Sequence, residues 1–537
     1  MARLPLPGRE LTDGEGPPRD APAGGPLPGA SAIAAAGRGP TTAMGPGTTA
    51  IPAGIRSIAR TLRAAGHEAH LVGGCVRDLL RGVAPLDWDV ATDARPNRLL
   101  VLFPGARYEN RFGTVAVPLP DGTHEVTTFR HDGTYSDHRR PDDVTFGDTL
   151  DEDLARRDFT VNAMAIALDP AGEPGAVEDR FGGRADLAAG VLRAVGDPAT
   201  RFREDALRML RAVRFAATLG MSVEPATRAA IASEAPLAAH VSGERTFAEL
   251  ARLLGAPRPS IGLRLAEETG LLGVVAPELA RQRGVPQVKV PGEDLWDHTC
   301  RTVDAASGAF VDGLPLARVA ALLHDVGKPA TFADGHFVGH DVAGAELAAA
   351  WLDELRAPRA FTARVANLVR HHMFDYGPGW SDAAVRRFIR RVGLADLEEL
   401  IDLRAADNVG SGVAPDVDGL GELRTRCRAQ VAAHVALRRA DLAVDGDDLM
   451  RALGLASGPA VGRLLDTLLE RVLGDPMLNE RTRLLALARE AAPAGGDEGG
   501  AADGEGGDDE GGDDEGGEGG GAADGPGTRR SRQASRP

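Results

Sequence analysis

The stretch from Leu71 to Asp93, LVGGCVRDLLRGVAPLDWDVATD, constrains this chain more than any other. An apolar strand runs into Gly73-Gly74, a short helix carries Arg77 and Asp78, and a second strand follows with Asp87 and Asp89. Residues two apart on a strand point the same way, so the two carboxylates are expected side by side. That arrangement is costly unless cations lie between them, and hard divalent ions with oxygen ligands are the natural counter-charge. Glycine before a helix lets backbone approach and donate to phosphate oxygens. A phosphate cradle beside paired carboxylates points to metal-assisted phosphoryl or nucleotidyl transfer.

Later segments add to this frame. An amphipathic helix is expected from Ile51, with Ile55, Ile58, Ala59 and Leu62 on one face and a stop at Gly66. Short strands are expected at 113–118 and 125–130, and Glu125 shares a face with Thr127 and Phe129, where it would join the aspartates as a third acid. The polar stretch 131–142 reads as a loop, and LARRDFTVNAMAIAL (154–168) as an Arg-Arg-Asp cluster leading into packed structure. Beyond about residue 186 the strands give out and helix follows helix, with a joint at 283–295.

Charge matters here because nucleic-acid partners usually require a basic surface. Of the net −17, the Gly/Asp/Glu-rich tail 491–537 contributes −8 and residues 1–50 nothing, so the body is itself acidic. Any such surface must be local. Arg211 and Arg214, three apart, with the helices after them, provide either that surface or a solvated or salt-bridged face. Both termini lack the apolar side chains needed to order themselves, so both are expected to be disordered. Three scattered cysteines form no zinc or disulfide pattern, and no leader or bilayer-length apolar run is present, so a cytoplasmic protein without a membrane partner is expected.

The order GGCVRD, LDWDVATDA, EVTTFR, RRDFTVNAMA, EDALRMLRAVRF, ERTFAEL resembles the bacterial class II tRNA nucleotidyltransferases, the CCA-adding enzymes and their poly(A) polymerase relatives in the DNA polymerase β superfamily. The resemblance spans roughly 55–490. It implies an α+β fold: a polymerase-β-type head with a small mixed sheet and flanking helices (51–186), a helical neck and body (187–285), and further helices (411–490) that bind tRNA. It also implies that Asp87 and Asp89 hold Mg²⁺, with Glu125 in the position of a third acid. Gly73, Gly74 and Arg77 would cradle the triphosphate, while Arg156, Arg157, Asp158 and Asn162 contact phosphate and ribose; a structural salt-bridge cluster is the alternative. The expected reaction adds CCA to tRNA from CTP and ATP. Poly(A) synthesis, or addition of A or CC alone, is the alternative within the class.

Glu204-Asp205-x-x-Arg208 resembles the motif that selects the nucleotide, and its logic follows from chemistry. On one helix, positions 205 and 208 are neighbours and set an acceptor beside a donor. Cytosine and adenine each present an amino donor beside a ring acceptor; uracil and guanine reverse that order and would leave buried groups unpaired.

A second constellation is His298, His324-Asp325 and Asp407, which resembles the HD phosphohydrolase domain (here 286–410). Vicinal His-Asp plus a distant His and Asp can converge on one divalent metal through nitrogen and oxygen. His340 and His371, with His372 beside it, are candidates for a second metal position. Ni²⁺ or Mn²⁺ suits this set, and the domain either hydrolyses phosphate esters or keeps a metal that only staples helices together. A reading from a different class is an HD phosphohydrolase whose N-terminal half only binds RNA; the intact Asp87/Asp89 pair argues against it.

Overall fold

The computed structural model describes residues 51–491, apart from 110–112, 133–143, 148, 288, 307–309, 312 and 378. The arm at 1–50, the tail beyond 491 and nearly all of the loop expected at 131–142 lie outside the described residues.

The head forms around a seven-stranded mixed sheet in the order β3-β4-β5-β2-β1-β8-β9. The strands are β1 (His70–Val72), β2 (Asp89–Thr92), β3 (Arg107–Tyr108), β4 (Thr114–Leu119), β5 (Gly122–Thr128), β8 (Met164–Leu168) and β9 (Pro174–Asp179). Helix Ala53–Ala64 buries Ile55, Ile58, Ala59 and Leu62 completely, in one core with Leu71, Val90, Val115 and Val126 from the sheet. Each buried Ile, Leu or Val among them is worth about 1.5–3 kcal/mol when removed from water. Val72 and Ala91, next along their strands, and Ala165, paired across from Val72, point to the other face and pack with Phe129, Leu150 and Leu154.

Three local expectations change. Asp87 lies in the bend before β2 rather than on it, because Pro85 cannot donate to a ladder and the chain joins the sheet only at Asp89. The strand expected over 125–130 ends at Thr128, and Arg130–Asp132 (β6) pairs instead with Val144–Phe146 (β7). Strands also continue past 186: Val191–Leu192 (β10) pairs in parallel with Ser222–Val223 (β11), two-residue strands too short to show a period.

From Pro198 the chain is otherwise helical, and one apolar core runs without a break from Phe159 to Ala488. Among the described residues no helix is long and apolar enough to cross a membrane.

Head and neck are pinned at the Arg-Arg-Asp turn. Arg211 donates Nε to Asp158 Oδ2 at 2.7 Å, Arg208 donates Nη2 to the Arg156 carbonyl at 2.9 Å, and Arg201 donates Nη1 to the Ala155 carbonyl at 3.2 Å. Asp158 also accepts from Asn162 Nδ2 (3.1 Å) and its neighbour's amide, Phe159 N–H (2.8 Å). Burial alone would raise its pKa, but Arg211 and the Asn162 hydrogen bond outweigh burial and hold it at about 2. A carboxyl depressed below its unfolded value stabilises the fold above that value, and the contribution fades as pH falls through the folded one. The full contribution is about 2 kcal/mol. Between about pH 5 and pH 3 the wild type should therefore lose about 1 kcal/mol more than Asp158→Asn in urea unfolding. Parallel pH profiles for the two proteins would rule the pin out as a source of stability.

Candidate active site

A cavity of about 910 Å³ opens between head and neck, large enough for a nucleotide. Its head wall carries Gly73, Gly74, Arg77, Asp87, Asp89, Glu125, Arg156, Arg157, Asp158 and Asn162, and its neck wall carries Asp205, Arg208, Arg211 and Arg214. All fourteen head and neck residues singled out in the sequence thus line one space.

Gly73 caps helix Gly74–Leu80 at φ +78°, and a Cβ there would lie 2.6 Å from Arg157 Nη1 and 3.6 Å from Asp89 Oδ2. Its N–H is already given to the Met164 carbonyl at 3.3 Å, so what Gly73 supplies is left-handed backbone and room for the arginine. β2 pairs in parallel with β5 and sets Asp89 directly across from Glu125. Burial raises the Asp89 pKa, Arg157 opposes that, and Asp87 adds to it. Glu125 is likewise raised, by desolvation and then by Asp89, Glu109 and Asp87. An all-oxygen donor set in which Asp89 and Glu125 are both pushed toward the neutral form suits a hard divalent cation such as Mg²⁺. The three acids nevertheless sit farther apart than the tight ligand groups of the second site.

The arginines are held by acids rather than left free. Arg156 and Arg157 share the fully buried Asp153, with Arg156 Nε at 3.0 Å from one oxygen and Arg157 Nη2 at 3.1 Å from the other. Arg77 donates to Asn162 Oδ1 at 2.7 Å and to its neighbour Asp78. Arg211 bonds Asp158, Arg214 bonds Glu249 at 2.5 Å, and Arg214 stacks 3.9 Å from the Phe215 ring. Of the two sequence readings for Arg211 and Arg214, the salt-bridged face is the one observed.

Asp205 and Arg208 do not share a helix. Helix Pro198–Glu204 ends at Asp205, which is extended (φ −142°, ψ 105°), and Arg208 belongs to the next helix, Leu207–Leu219. Asp205 takes hydrogen bonds from Leu207 N–H (3.1 Å) and Arg245 Nη2 (2.8 Å), while Arg208 bonds Glu204 at 2.5 Å. Arg245, Glu249 and Asp153 carry the site's geometry but had no assigned role in the sequence. Arg245 and Glu249 both come from ERTFAEL, a segment that carried the resemblance but whose partners, Asp205 and Arg214, lie 35 to 40 residues away.

The second cluster converges more tightly. His298 Nε2 lies 3.1 Å from His324 Nε2, 3.2 Å from Asp407 Oδ1 and 3.4 Å from Asp325 Oδ2. On its other side, Asp325 Oδ1 faces His340 Nε2 at 3.5 Å and His372 Nε2 at 3.6 Å. The Nδ1 atoms of His324, His340 and His372 face the carbonyls of Ala321, Phe337 and Val369 at 2.6–2.8 Å. A carbonyl only accepts, so each Nδ1 carries the proton and each Nε2 presents a lone pair to the cluster. The Nε2 atoms of His340 and His372 are buried with no hydrogen-bond partner. Bare imidazole nitrogens around two carboxylates are the chemistry of divalent transition-metal ligation, so the residues fit such an ion. Gly327 permits the crossing that brings Asp325 to His340: a Cβ there would lie 2.2 Å from the His340 carbonyl oxygen.

The expected second-metal ligand His371 is replaced by His372. Val365, Leu368, Val369 and His372 form the buried stripe of helix Arg359–His371 and its cap, and His371 is rotated off it. The His371 pKa is lowered by burial and by Arg391 and Arg370.

Comparison with known proteins agrees with this layout. Residues 69–193 match the Poly A polymerase head domain, 220–283 the probable RNA and SrmB-binding site of polymerase A, and 295–411 the HD domain. The CCA-adding enzyme of Geobacillus kaustophilus is 37% identical over 442 residues, covering 81% of this chain and 95% of that protein. That of Geobacillus stearothermophilus is 34% identical over 441 residues, with the same coverage. Among solved structures, the Bacillus stearothermophilus CCA-adding enzyme in complex with CTP superimposes with a TM-score of 0.61 at 31% identity, covering 81% of this chain and 96% of that one. With near-complete coverage of such relatives, this chain belongs to the CCA-adding enzyme family of nucleotidyltransferases.

Proposed function

We propose that this enzyme adds C, C and A without a template to tRNA 3′ ends, taking CTP and ATP and releasing pyrophosphate. The observation that carries the reading is the single head–neck cavity, which sets the acids of the sheet opposite the Asp205–Arg208 turn. Its relatives are CCA-adding enzymes, and the Bacillus stearothermophilus one was solved with CTP.

Asp87 and Asp89 would hold two Mg²⁺ ions, which when bound activate the RNA 3′-hydroxyl and balance the charge of the leaving pyrophosphate. Glu125, opposite Asp89, adds a third carboxylate to that field. Gly73 and Gly74 leave space for the triphosphate, and Arg157, beside Asp89, supplies fixed positive charge there. Asp205 is oriented by Arg245 and still has lone pairs to accept the amino group of cytosine or adenine, while Arg208 donates to the neighbouring ring acceptor. Uracil and guanine would set donor against donor and acceptor against acceptor.

The HD cluster supports a second, independent activity, metal-dependent phosphoester hydrolysis, with Ni²⁺ or Mn²⁺ held by His298, His324, Asp325 and Asp407 and a second ion by Asp325, His340 and His372. The favouring observation is the pair of ligand triads sharing Asp325.

Asp89→Asn should lower nucleotide addition by more than about a hundredfold. His324→Ala should leave addition within about twofold while lowering bound transition metal, read by elemental analysis of the folded protein. Parallel loss of addition in both variants would refute two independent sites. Asp205→Ala should narrow the preference for CTP over UTP by about tenfold to a hundredfold in single-turnover assays. Undiminished exclusion of UTP and GTP would place base selection elsewhere.

A further inference from the structure

Lysine is almost absent from this chain. Of its 61 basic side chains only Lys289 and Lys328 are lysines, and the rest are arginines. Both lysines lie on the HD cluster. Lys328 Nζ is 2.7 Å from Asp325 Oδ2, and Lys289 Nζ is 3.5 Å from Asp407 Oδ1. These are the two carboxylate oxygens that face His298 Nε2.

Lys328 is buried three residues after Asp325 on the same turn. Lys289 is different. It comes from the joint between neck and HD domain, outside the 295–411 match, and its side chain is 42% exposed. The joint is a built loop. A bridge between Pro286 and Asp294 closes it, and Leu295 N–H bonds the Val285 carbonyl at 3.0 Å. Arg301 ties Glu293 of the joint to the Gly410 carbonyl, at the end of the helix that carries Asp407. Val290 packs so closely on Gly412 that a Cβ there would lie 3.0 Å from it. The other cation on Asp407, Arg404, is also tied to Asp418 at 3.2 Å, whereas Asp407 is the only ion-pair partner of Lys289 among the described residues.

We propose that Lys289 is a phosphate-binding residue of the HD site, delivered across the domain boundary by the joint. The proposal rests on the reading of that cluster as a metal-dependent phosphohydrolase. Once Asp407 is committed to a cation, the exposed ammonium has no carboxylate to satisfy and stands at the cluster as a free positive charge for a phosphate oxygen. An ammonium is a compact point charge that can let go of one oxygen and turn to another. A guanidinium would grip Asp407 with its fork and compete for a metal ligand, which explains a lysine here in a chain that otherwise uses arginine.

The test uses the full chain loaded with Mn²⁺, with metal content read by elemental analysis and inorganic phosphate affinity read by calorimetry. Lys289→Ala should keep its metal within about twofold and bind inorganic phosphate at least about tenfold more weakly, the loss of one charge-assisted contact. Lys289→Arg should carry less metal than either. Unchanged phosphate affinity in Lys289→Ala would overturn the proposal, as would loss of the metal itself. A wild-type chain that takes up no Mn²⁺ would instead bring down the reading of the cluster, and the role of Lys289 with it.

Discussion

The architecture depends on buried carboxylates that hold the arginines of the cavity. Asp153 has no exposed surface and takes Arg156 on one oxygen and Arg157 on the other. Asp158 takes Arg211 from the neck, and Glu249 takes Arg214. A lone buried charge would cost several kcal/mol, and removing one partner of such a pair is correspondingly destructive. These pairs therefore act as geometric locks besides any stability they contribute. Asp158–Arg211 fixes how the neck meets the head, and the other two hold the arginines within each part.

That lock also explains how an acidic protein can serve a polyanionic substrate. The cavity arginines are held in place by hydrogen bonds to acids such as Asp153, Asp158 and Glu249, so the positive charge at the cavity is oriented in advance rather than abundant. Net charge describes the solvated surface and says little about such a site. The HD cluster uses the same device with different chemistry: backbone carbonyls fix the proton on Nδ1 of three histidines, so their Nε2 lone pairs are directed inward.

Much of this was legible in the sequence where a constraint was local. The double glycine, the strand that presents Asp89, the apolar stripe of Ile55, Ile58 and Leu62, and the His-Asp pair all follow from short-range rules. What was not legible turned on single residues or distant partners. Pro85 holds Asp87 off the strand. The helix breaks at Asp205, so the turn is braced by Arg245, forty residues later, and not by its neighbour Arg208. The choice between His371 and His372 is a 100° rotation, decided by which side chain continues the Val365–Leu368–Val369 stripe. Arg211 and Arg214 have the spacing of a basic surface, and only the fold reveals the acids opposite them.

The central claim is that one cavity both performs the transfer and chooses the base, three times in order. The most direct measurement is to incubate the purified full chain with tRNA lacking its 3′-terminal CCA, supply all four nucleotides, and sequence the extended 3′ ends. The account predicts C, C and A followed by arrest, with U and G absent. A run of A, arrest after C-C, or addition of A alone would contradict it.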